Sequence, residues 1–580
     1  MKVIWRFVKP YKMAAALAVL FMLAELAVEL LQPLLMARII NEGVMKENLH
    51  TVIVWGGVMM LFSMLAFGAG IFNTLYAAHA SQSFSYDARK QLFRRVQALS
   101  YSQFNLFQGG ALLTRLTNDV QQLQMTVFIM LRIMLRAPLL VIGGLVMAFI
   151  VHPSLSIFLA FVVPVLFIFM VFMLNKGGKM FKIVQQKLDH VNNVMGENLA
   201  GMKLIRAFRR SGHEMDHFKA ANEALKERTA SALRFMEITM PVLLLLMNTT
   251  IICMLWFGNK EIMAGNANVG EVVAVINYAT RITSALSVFT FLITIFSRSR
   301  ASAARVDEIL QTPAEMTDTD GAGSGHPLKG EITFRNVGFY YEDETRWALK
   351  NLSFTVKPGR TMAILGATGS GKSTIMHLIP RLYDTSAGSV LIDGVDVRDY
   401  PQKFLRRQIG IVPQEALLFT GTIKENISWG KADATDEEIK EACEHAQIAT
   451  AIEQLPGGMD AVIGQKGISL SGGQRQRLTI ARALVRKPSI LLFDDSTSAL
   501  DAKTEEKLLQ ALDSYHGTKL IVTQKISTAS HADVILLLED GEKAAEGTHE
   551  SLKRQSALYQ KLLKSQLEGR GELRAVETGK

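Results

Sequence analysis

Long apolar runs alternate with polar connections along the first half of the chain. About 20 mostly apolar residues cross the hydrocarbon core of a bilayer as a helix. Six runs reach that length: 13–40, 51–80, 128–152, 154–175, 238–257 and 270–297. The pattern therefore predicts six membrane-spanning helices. The first run is longer than a signal peptide and holds Glu25 and Glu29, which favours an uncleaved helix.

The connections between these runs differ in length and charge. Segments 41–50, 153 and 258–269 are short and nearly free of Lys and Arg. Segments 81–127 and 176–237 are long and polar, with five and twelve Lys or Arg respectively. Because basic residues accumulate on the cytoplasmic side, both termini and both long loops are predicted to face the cytoplasm. The expected location is a plasma membrane, which in a bacterium is the inner membrane.

The helices of spans two and three are predicted to continue past the bilayer into these loops by roughly 25 Å. Within the loops, 103–119 and 202–218 interrupt the helical pattern with glycine beside aromatic residues. This pattern indicates either an ordinary bend or a short transverse helix that offers Phe104, Phe107 or Phe208 to a soluble domain.

A change of composition near residue 311 marks a domain boundary. Residues 311–329 contain Pro, Gly, Ser and Asp without an apolar period, which indicates a linker. Residues 330–566 alternate short apolar strands with polar helices, an α/β pattern. We therefore predict an all-α membrane domain over 1–310, an α/β domain over 330–566 and a disordered tail over 567–580.

Composition agrees with a membrane domain joined to a soluble one, since 49% of the residues are hydrophobic and 20% are charged. The net charge of +10 could indicate nucleic-acid binding, but the basic residues concentrate in the loops next to the membrane. No nucleic-acid partner is therefore expected. Cys253 and Cys443 lack the spacing of a disulfide or metal site and are predicted to be core residues.

The first chemical motif follows the apolar segment 362–365. It has the pattern of a phosphate-binding P-loop, the Walker A motif: Gly366, Ala367, Thr368, Gly369, Ser370, Gly371, Lys372, Ser373 and Thr374. Glycines let backbone N–H groups face phosphates, and the following helix adds the positive end of its dipole. Lys372 is expected to reach the outer phosphates of ATP, and Ser373 to bind Mg²⁺.

Two further motifs lie downstream. Asp494 ends the apolar run "SILLFD", where an acid beside a P-loop can hold Mg²⁺, the Walker B role. Before it stands "LSGGQ", formed by Leu470, Ser471, Gly472, Gly473 and Gln474. A serine and two glycines at a helix N-terminus form a second cradle for a phosphate.

With these motifs in this order, the chain resembles an ATP-binding cassette (ABC) transporter, specifically an exporter-type half-transporter with six spans and one cassette. In that family the "LSGGQ" signature faces the P-loop of a second cassette, so that two ATP molecules lie between two head-to-tail cassettes. The resemblance also favours the transverse helices. It implies that Tyr341, with Tyr340 as a rival, stacks on adenine, and that Gln414 reaches Mg²⁺ and the attacking water. Residues Ser498, Ala499, Leu500 and Asp501 match the D-loop that touches the partner's site.

Three positions depart from the family pattern. Asp495 stands where a glutamate usually polarises the attacking water, and its carboxylate is shorter by roughly 1.5 Å. Gln524 stands at the switch position, which is normally a histidine that can accept a proton. Gln465 replaces a glutamate that exporters often carry just before the signature, so coupling through that position is in doubt.

These departures, beside an intact signature, resemble the degenerate-site subunit of a heterodimeric, multidrug-type exporter. The alternatives are a slow homodimeric exporter and an ATP-gated regulatory or channel-like membrane protein. The expected cargo is an amphipathic drug, lipid or peptide. Four intramembrane residues form a candidate substrate path or, equally, pair helices: Glu25, Glu29, Asn277 and Arg281.

Overall fold

The computed structural model describes residues 2–107, 109–313, 316, 327–341, 346–464 and 470–566. These residues form two units. The first contains the chain up to Gln97 together with Gly109–Thr312, and the second contains Ala98–Gln108 and the chain from Pro313 onwards. The predicted order of an all-helical domain followed by an α/β domain is confirmed. The predicted tail 567–580 lies outside the described residues.

The helices of the first unit follow the predicted spans. They are Lys2–Val8, Lys12–Arg38, Leu49–Gln97, Gly109–Thr114, Val120–Ile129, Arg136–Val151, Pro153–Ala200, Met202–Ala207, Ser211–Glu237, Thr239–Met263 and Val269–Gln311. A 3₁₀ turn occupies Lys9–Tyr11, and π-helical segments occupy Ile39–Val44, Arg115–Asp119 and Met130–Met134. Among the described residues, five stretches are long and apolar enough to cross a membrane: Val3–Val44, Leu49–Gln97, Gly109–Val151, Pro153–Ala200 and Ser211–Met263. The sixth predicted span lies in the helix Val269–Gln311.

Local sequence signals set where two of these helices begin. Pro153 occupies the first turn of its helix, where a missing N–H costs nothing, and the His152 side chain accepts a hydrogen bond from the Leu155 N–H. The last helix of the unit begins after Asn268, which forms a capping box with Glu271. The short connections predicted at 153 and 258–269 therefore end in defined helix starts.

Two helices extend well beyond bilayer thickness: the helix of span two, as predicted, and the helix of span four, for which no extension was predicted. Leu49–Gln97 contains 49 residues and Pro153–Ala200 contains 48. At about 1.5 Å per residue, each is about 70 Å long, more than twice the hydrocarbon core of about 30 Å. Residues 81–97 continue the second span by about 25 Å in an unbroken helix.

The first long loop contains the short helix Tyr101–Leu106, which belongs to the second unit. Asn105 donates a 2.9 Å hydrogen bond from Nδ2 to the Tyr383 hydroxyl, and the Tyr101 ring lies 5.7 Å from the Tyr383 ring. Tyr101 and Asn105 stand four residues apart and therefore share one helix face. Phe104, predicted to serve this contact, is 41% exposed.

The two other aromatic residues named for this role differ. Phe107 ends the first short helix and is partly buried. Phe208 follows the helix Met202–Ala207 of the second loop and is 71% exposed. The second loop thus presents an exposed aromatic side chain within the first unit.

The second unit has mixed α/β structure. Its strands are Ile332–Tyr340, Trp347–Val356, Thr361–Gly366, Ala387–Ile392, Val395–Asp396, Ile409–Val412, Gly421–Thr422, Val462–Ile463, Ile490–Asp494, Thr518–Val522, Val534–Glu539 and Glu542–Gly547. Its longer helices are Lys372–Leu378, Gln402–Arg407, Ile423–Ser428, Asp436–His445, Ala449–Glu453, Gly472–Leu484, Ala502–Asp513 and His549–Gln555. Residues 557–566 form a further helical segment.

A six-stranded sheet brings the predicted motifs to one edge. Its order is Glu542–Gly547, Val534–Glu539, Thr361–Gly366, Thr518–Val522, Ile490–Asp494 and Ile409–Val412, and all but the first strand run parallel. Val522 pairs with both Ile364 and Asp494, and Val412 pairs with Phe493. Because parallel strands end at the same edge, the P-loop, Asp494, Gln524 and Gln414 all follow carboxyl ends of neighbouring strands.

Alternate residues of these strands enter different cores, as the pleat requires. Ile490 and Leu492 pack with the antiparallel sheet, whereas Leu491 and Phe493 pack with the helices around the signature. The helix Gly472–Leu484 belongs to this second core. One buried strand thus supports both nucleotide motifs from opposite faces of the sheet.

Candidate functional site

The P-loop joins the strand Thr361–Gly366 to the helix Lys372–Leu378. Gly369 and Gly371 have φ values of +86° and +96°, a region that other L-residues rarely adopt. A Cβ on Gly371 would also collide with the Ala348 carbonyl oxygen. Glycine is therefore required here by conformation and by space, as a loop that turns its N–H groups inward demands.

Lys372 lies across the mouth of the loop. Its side chain is 7% exposed, and Nζ donates to the carbonyl oxygens of Gly366 at 2.9 Å and Ala367 at 2.7 Å. Burial lowers the pKa of Lys372, while the negative charges of Asp495 and Asp494 oppose that shift. The ammonium group is thus held by carbonyl groups at the start of the loop.

The loop fits a triphosphate and a divalent cation. Ser370 Oγ is buried and, among the described residues, has no hydrogen-bond partner, so a polar group is still missing beside the loop. Ser373 Oγ donates a 3.0 Å hydrogen bond to Asp494 Oδ1. A hydroxyl and a carboxylate in contact form the hard oxygen set that Mg²⁺ prefers.

Tyr341 lies directly after the strand Ile332–Tyr340 and next to the P-loop helix. Its hydroxyl is 3.0 Å from Thr374 Oγ1, and its ring is 40% exposed. A cleft beside it is lined by Tyr341, Arg346, Trp347, Gly369 and Asp540, among others. Tyr340 instead places its ring 5.3 Å from Trp347, edge to face. Tyr341 is therefore the tyrosine that contacts the P-loop.

Asp495 and Gln524 contact each other at the same edge. Gln524 Nε2 donates a 3.3 Å hydrogen bond to Asp495 Oδ2. The Asp495 backbone N–H donates to Val522 O at 3.0 Å, and its φ is +44°, a left-handed conformation that aspartate tolerates better than most residues. Burial, with the nearby Asp494 charge, raises the pKa of Asp495. Asp495 and Gln524, which both depart from the family pattern, are therefore in direct contact.

Gln414 follows the strand Ile409–Val412 and is exposed. Its backbone stands at the same sheet edge as Asp494, because Val412 pairs with Phe493. Gln465, the third departure noted in the sequence, lies outside the described residues.

The signature opens the helix Gly472–Leu484. Ser471 caps it: Ser471 Oγ accepts from the Gln474 N–H, and Gln474 Oε1 accepts from the Ser471 N–H at 2.9 Å. Leu470 is buried, whereas Ser471 and Gly472 are exposed. A Cβ on Gly472 would meet no atom within 4 Å. The space in front of this helix N-terminus is therefore open within the described chain.

The D-loop, residues 498–501, contacts both Asp495 and the signature. Ser498 Oγ donates to the Asp495 carbonyl at 2.8 Å, and Leu500 is buried in the core that holds the signature helix. A Cβ on Gly473 would lie 3.3 Å from the Ala499 carbonyl oxygen, so the two loops touch. Asp501 caps the next helix by accepting from the Thr504 N–H at 2.9 Å, and this bonding lowers the pKa of Asp501.

Comparison with known proteins identifies the family. Residues 15–286 match the family model of the ABC transporter transmembrane region, and residues 349–498 match the family model described as ABC transporter. The sequence is 54% identical over 560 residues, 97% of each chain, to the uncharacterized ABC transporter ATP-binding protein YfiB of Bacillus subtilis. The chain belongs to the ABC transporter family.

Two further relatives of this ABC transporter are exporters by name. It is 31% identical over 570 residues to the putative multidrug export ATP-binding/permease protein YgaD of Bacillus subtilis, covering 97% of this chain and 98% of that one. A solved bacterial Atm1-family ABC exporter with ATP bound superposes with a TM-score of 0.78 and 25% identity, covering 96% and 98%. The chain is thus a multi-pass membrane half-transporter with one cytoplasmic ATPase cassette.

The four polar residues of the candidate substrate path contact residues of this ABC transporter itself. Glu25 and Glu29 accept from the two terminal nitrogens of Arg136, each at 2.8 Å. Arg281 Nη1 lies 3.4 Å from Glu29, and Asn277 bonds the Val273 carbonyl of its own helix. Spans one, three and six are therefore joined by paired charges, which favours the helix-pairing alternative.

Sequence reasoning missed Arg136 and Gln32 as members of this network. Arg281 Nη2 donates to Gln32 Oε1 at 2.9 Å, and Gln32 Nε2 donates to Ser63 Oγ at 3.2 Å on span two. The available signal was the four-residue spacing of Glu25 and Glu29, since two acids on one face of a membrane helix require cations. Which arginine supplies them depends on how the helices pack.

Proposed function

We propose that this chain is the degenerate-site subunit of a heterodimeric ABC exporter. It binds ATP at its own P-loop, hydrolyses it slowly there, and completes the partner's hydrolytic site with its signature. The observation that carries the proposal is the contact between Asp495 and Gln524, two of the three residues that depart from the family pattern.

The chain's own site suits nucleotide binding. Lys372 and the backbone N–H groups of the P-loop would hold the phosphates. Ser373 with Asp494 would hold Mg²⁺, which neutralises phosphate charge when bound. Tyr341 beside the P-loop helix supplies an aromatic face for adenine. Gln414, at the end of the neighbouring strand, is the polar residue proposed to reach the cation.

The same site is poorly equipped for hydrolysis. The carboxylate of Asp495 is one methylene shorter than a glutamate, and misplacing a catalytic group by about 1 Å can cost on the order of a hundredfold in rate. Gln524 offers its amide to that carboxylate and cannot take up a proton near neutral pH. The site would therefore retain ATP through cycles in which the other site turns over.

The signature supports a role across an interface. Its helix N-terminus is exposed, its glycine backbone is free of side chains, and its serine is held in position by a capping box. These features suit a terminal phosphate delivered by another chain. The aromatic Phe208, exposed within the second long loop, offers that chain a further apolar contact.

The proposed cargo is an amphipathic molecule taken from the cytoplasm or inner leaflet. Because Glu25 and Glu29 are already matched by Arg136 and Arg281, the charge network supplies no spare carboxylate for a cationic compound. Recognition would rest more on the apolar side chains of the spans than on one ion pair. The 27 methionines of the chain suit such an adaptable surface.

The proposal is tested by ATPase measurements on the purified chain, alone and assembled with a half-transporter that carries a Walker B glutamate and a switch histidine. Assembly is expected to raise phosphate release at least about tenfold, since a positioned general base contributes about 10²–10⁴-fold. Brisk hydrolysis by the chain alone would favour a homodimer. ATP-dependent flux that only follows a gradient would favour a channel.

A further inference from the structure

The last described segment of the chain packs against the nucleotide-binding sheet. Residues 557–566 are helical, and Tyr559 is fully buried in a core with Ala363 and Leu365 of the P-loop strand. The Tyr559 hydroxyl lies 2.6 Å from His549 Nδ1. The helical segment is therefore held in a defined position behind the P-loop.

At the end of this segment, Gln566 makes two hydrogen bonds to the loop that carries Gln524, here called the switch loop (residues 523–526). Its Nε2 donates to the Gln524 carbonyl oxygen at 2.6 Å, and its Oε1 accepts from the Ile526 backbone N–H at 2.9 Å. One amide thus satisfies a backbone acceptor and a backbone donor two residues apart. Such two-point contact fixes both the position and the orientation of a loop.

A second set of contacts joins the same loop to Glu505. Lys525 Nζ lies 2.7 Å from Glu505 Oε2, and Thr528 Oγ1 donates to Glu505 Oε1 at 2.7 Å. Glu505 is 6% exposed and belongs to the helix after the D-loop. The loop that carries Gln524 is therefore held both by that helix and by Gln566.

We propose that Gln566 is a positioning residue for the switch position, through which the C-terminal helical segment sets how residue 524 faces a bound nucleotide. Its amide holds the backbone on both sides of Lys525, and the Gln524 side chain then reaches the carboxylate of Asp495. The inference rests on the proposed role of Gln524 beside the terminal phosphate of ATP.

The test measures release of ATP and of ADP from the full-length chain in lipid nanodiscs. Gln566→Ala removes both hydrogen bonds and is expected to shorten ATP residence about fivefold, the effect of about one hydrogen bond. ADP residence should stay unchanged, because ADP lacks the terminal phosphate that residue 524 would face. A general weakening of the fold would shorten both.

Two further variants sharpen the result. Gln566→Glu keeps the side-chain length and the oxygen that accepts from Ile526 but loses the donor to Gln524. Like Gln566→Ala, it should therefore shorten ATP residence. Gln560→Ala is the matched control, because Gln560 lies on the same segment and its amide bonds Lys553 O at 2.8 Å, outside the switch loop. It should leave ATP residence unchanged.

Gln524→Ala separates failure of this inference from failure of the proposed function. If Gln524→Ala shortens ATP residence while Gln566→Ala does not, the positioning role of Gln566 is overturned and the role of Gln524 stands. If neither variant has an effect, both are overturned. Equal shortening of ATP and ADP residence by Gln566→Ala would also overturn the proposal, since it would indicate a purely structural role.

Discussion

Gln524 Nε2 donates a 3.3 Å hydrogen bond to Asp495 Oδ2. The strands before these residues are adjacent and in register, since Val522 pairs with Asp494. In a hydrolytic cassette these two positions would hold a base for water and a histidine at the terminal phosphate. Here the amide of Gln524 instead donates to the shorter carboxylate of Asp495, and an amide cannot take up a proton as a histidine does.

Removing the P-loop lysine should weaken ATP occupancy of this chain's own site. Lys372→Ala deletes the ammonium group held by the loop's carbonyl groups, so photolabelling of this chain by an azido-ATP analogue should fall sharply, while turnover of the assembled transporter is only partly slowed. Lys543→Ala, which removes a surface lysine paired with Glu546, is the control. Loss of all turnover while the partner's site still binds nucleotide would contradict the assigned roles.

Blocking the signature should stop hydrolysis in the partner's site. Ser471→Arg places a bulky cation at an exposed helix N-terminus where a terminal phosphate would dock, so phosphate release by the assembled transporter should collapse. Thr435→Arg disrupts a comparable capping box on the helix Asp436–His445 and controls for the lost cap, which costs about 0.5–2 kcal/mol. Near-normal turnover of Ser471→Arg would remove the case for completion across the interface.

The raised pKa of Asp495 predicts how its removal changes stability with pH. Because the folded state binds this proton more readily than the unfolded state, ionised Asp495 destabilises the fold above its folded pKa. Asp495→Asn should therefore raise the thermal midpoint of the nucleotide-free protein at neutral pH. The gain should vanish as pH falls below the unfolded value, about 3.9.

Asp540→Asn serves as the control for that measurement, since Asp540 is exposed and also has a left-handed backbone, with φ of +47°. It should leave the midpoint nearly unchanged across the same pH range. A lower midpoint for Asp495→Asn at neutral pH would show that the ionised carboxylate stabilises the fold, contrary to the account.

The ion pairs of Arg136 with Glu25 and Glu29 should stabilise the membrane domain. Arg136→Ala leaves Glu25 and Glu29 without their shared arginine and should destabilise the protein by about 1–3 kcal/mol, less than the roughly 3–5 kcal/mol of a fully buried pair. Thermal unfolding in detergent measures this. Replacing Arg136 and Glu25 together by glutamine should recover most of the loss, because Glu29 then keeps Arg281 as its partner. An unchanged midpoint for Arg136→Ala would argue against pairing.

Sequence alone predicted those parts of the fold that depend on local pattern. The P-loop glycines, the strand ending in Asp494 and the capped helix at Ser471 each depend on neighbours within a few residues, so their placement follows from spacing. The length of the helix Leu49–Gln97 likewise follows from unbroken helical composition beyond the apolar run.

The contacts between residues far apart in the chain could not be predicted from the sequence pattern. Arg136 reaches Glu25 across 111 positions, and Gln566 reaches Gln524 across 42. Any of several arginines or glutamines satisfies the same chemistry, and only helix packing selects one. The contacts of Tyr101 and Asn105 with Tyr383 were likewise not predicted, because they join residues about 280 positions apart in the chain.

In the proposed heterodimer, this chain's own site contributes little hydrolysis while its signature completes the partner's site. The most direct measurement is substrate-stimulated phosphate release from the assembled pair, comparing Asp495→Asn in this chain with glutamine in place of the partner's Walker B glutamate. We expect almost no phosphate release from the partner's variant and a far smaller change for Asp495→Asn. Brisk hydrolysis by this chain alone, abolished by Asp495→Asn, would contradict this proposal.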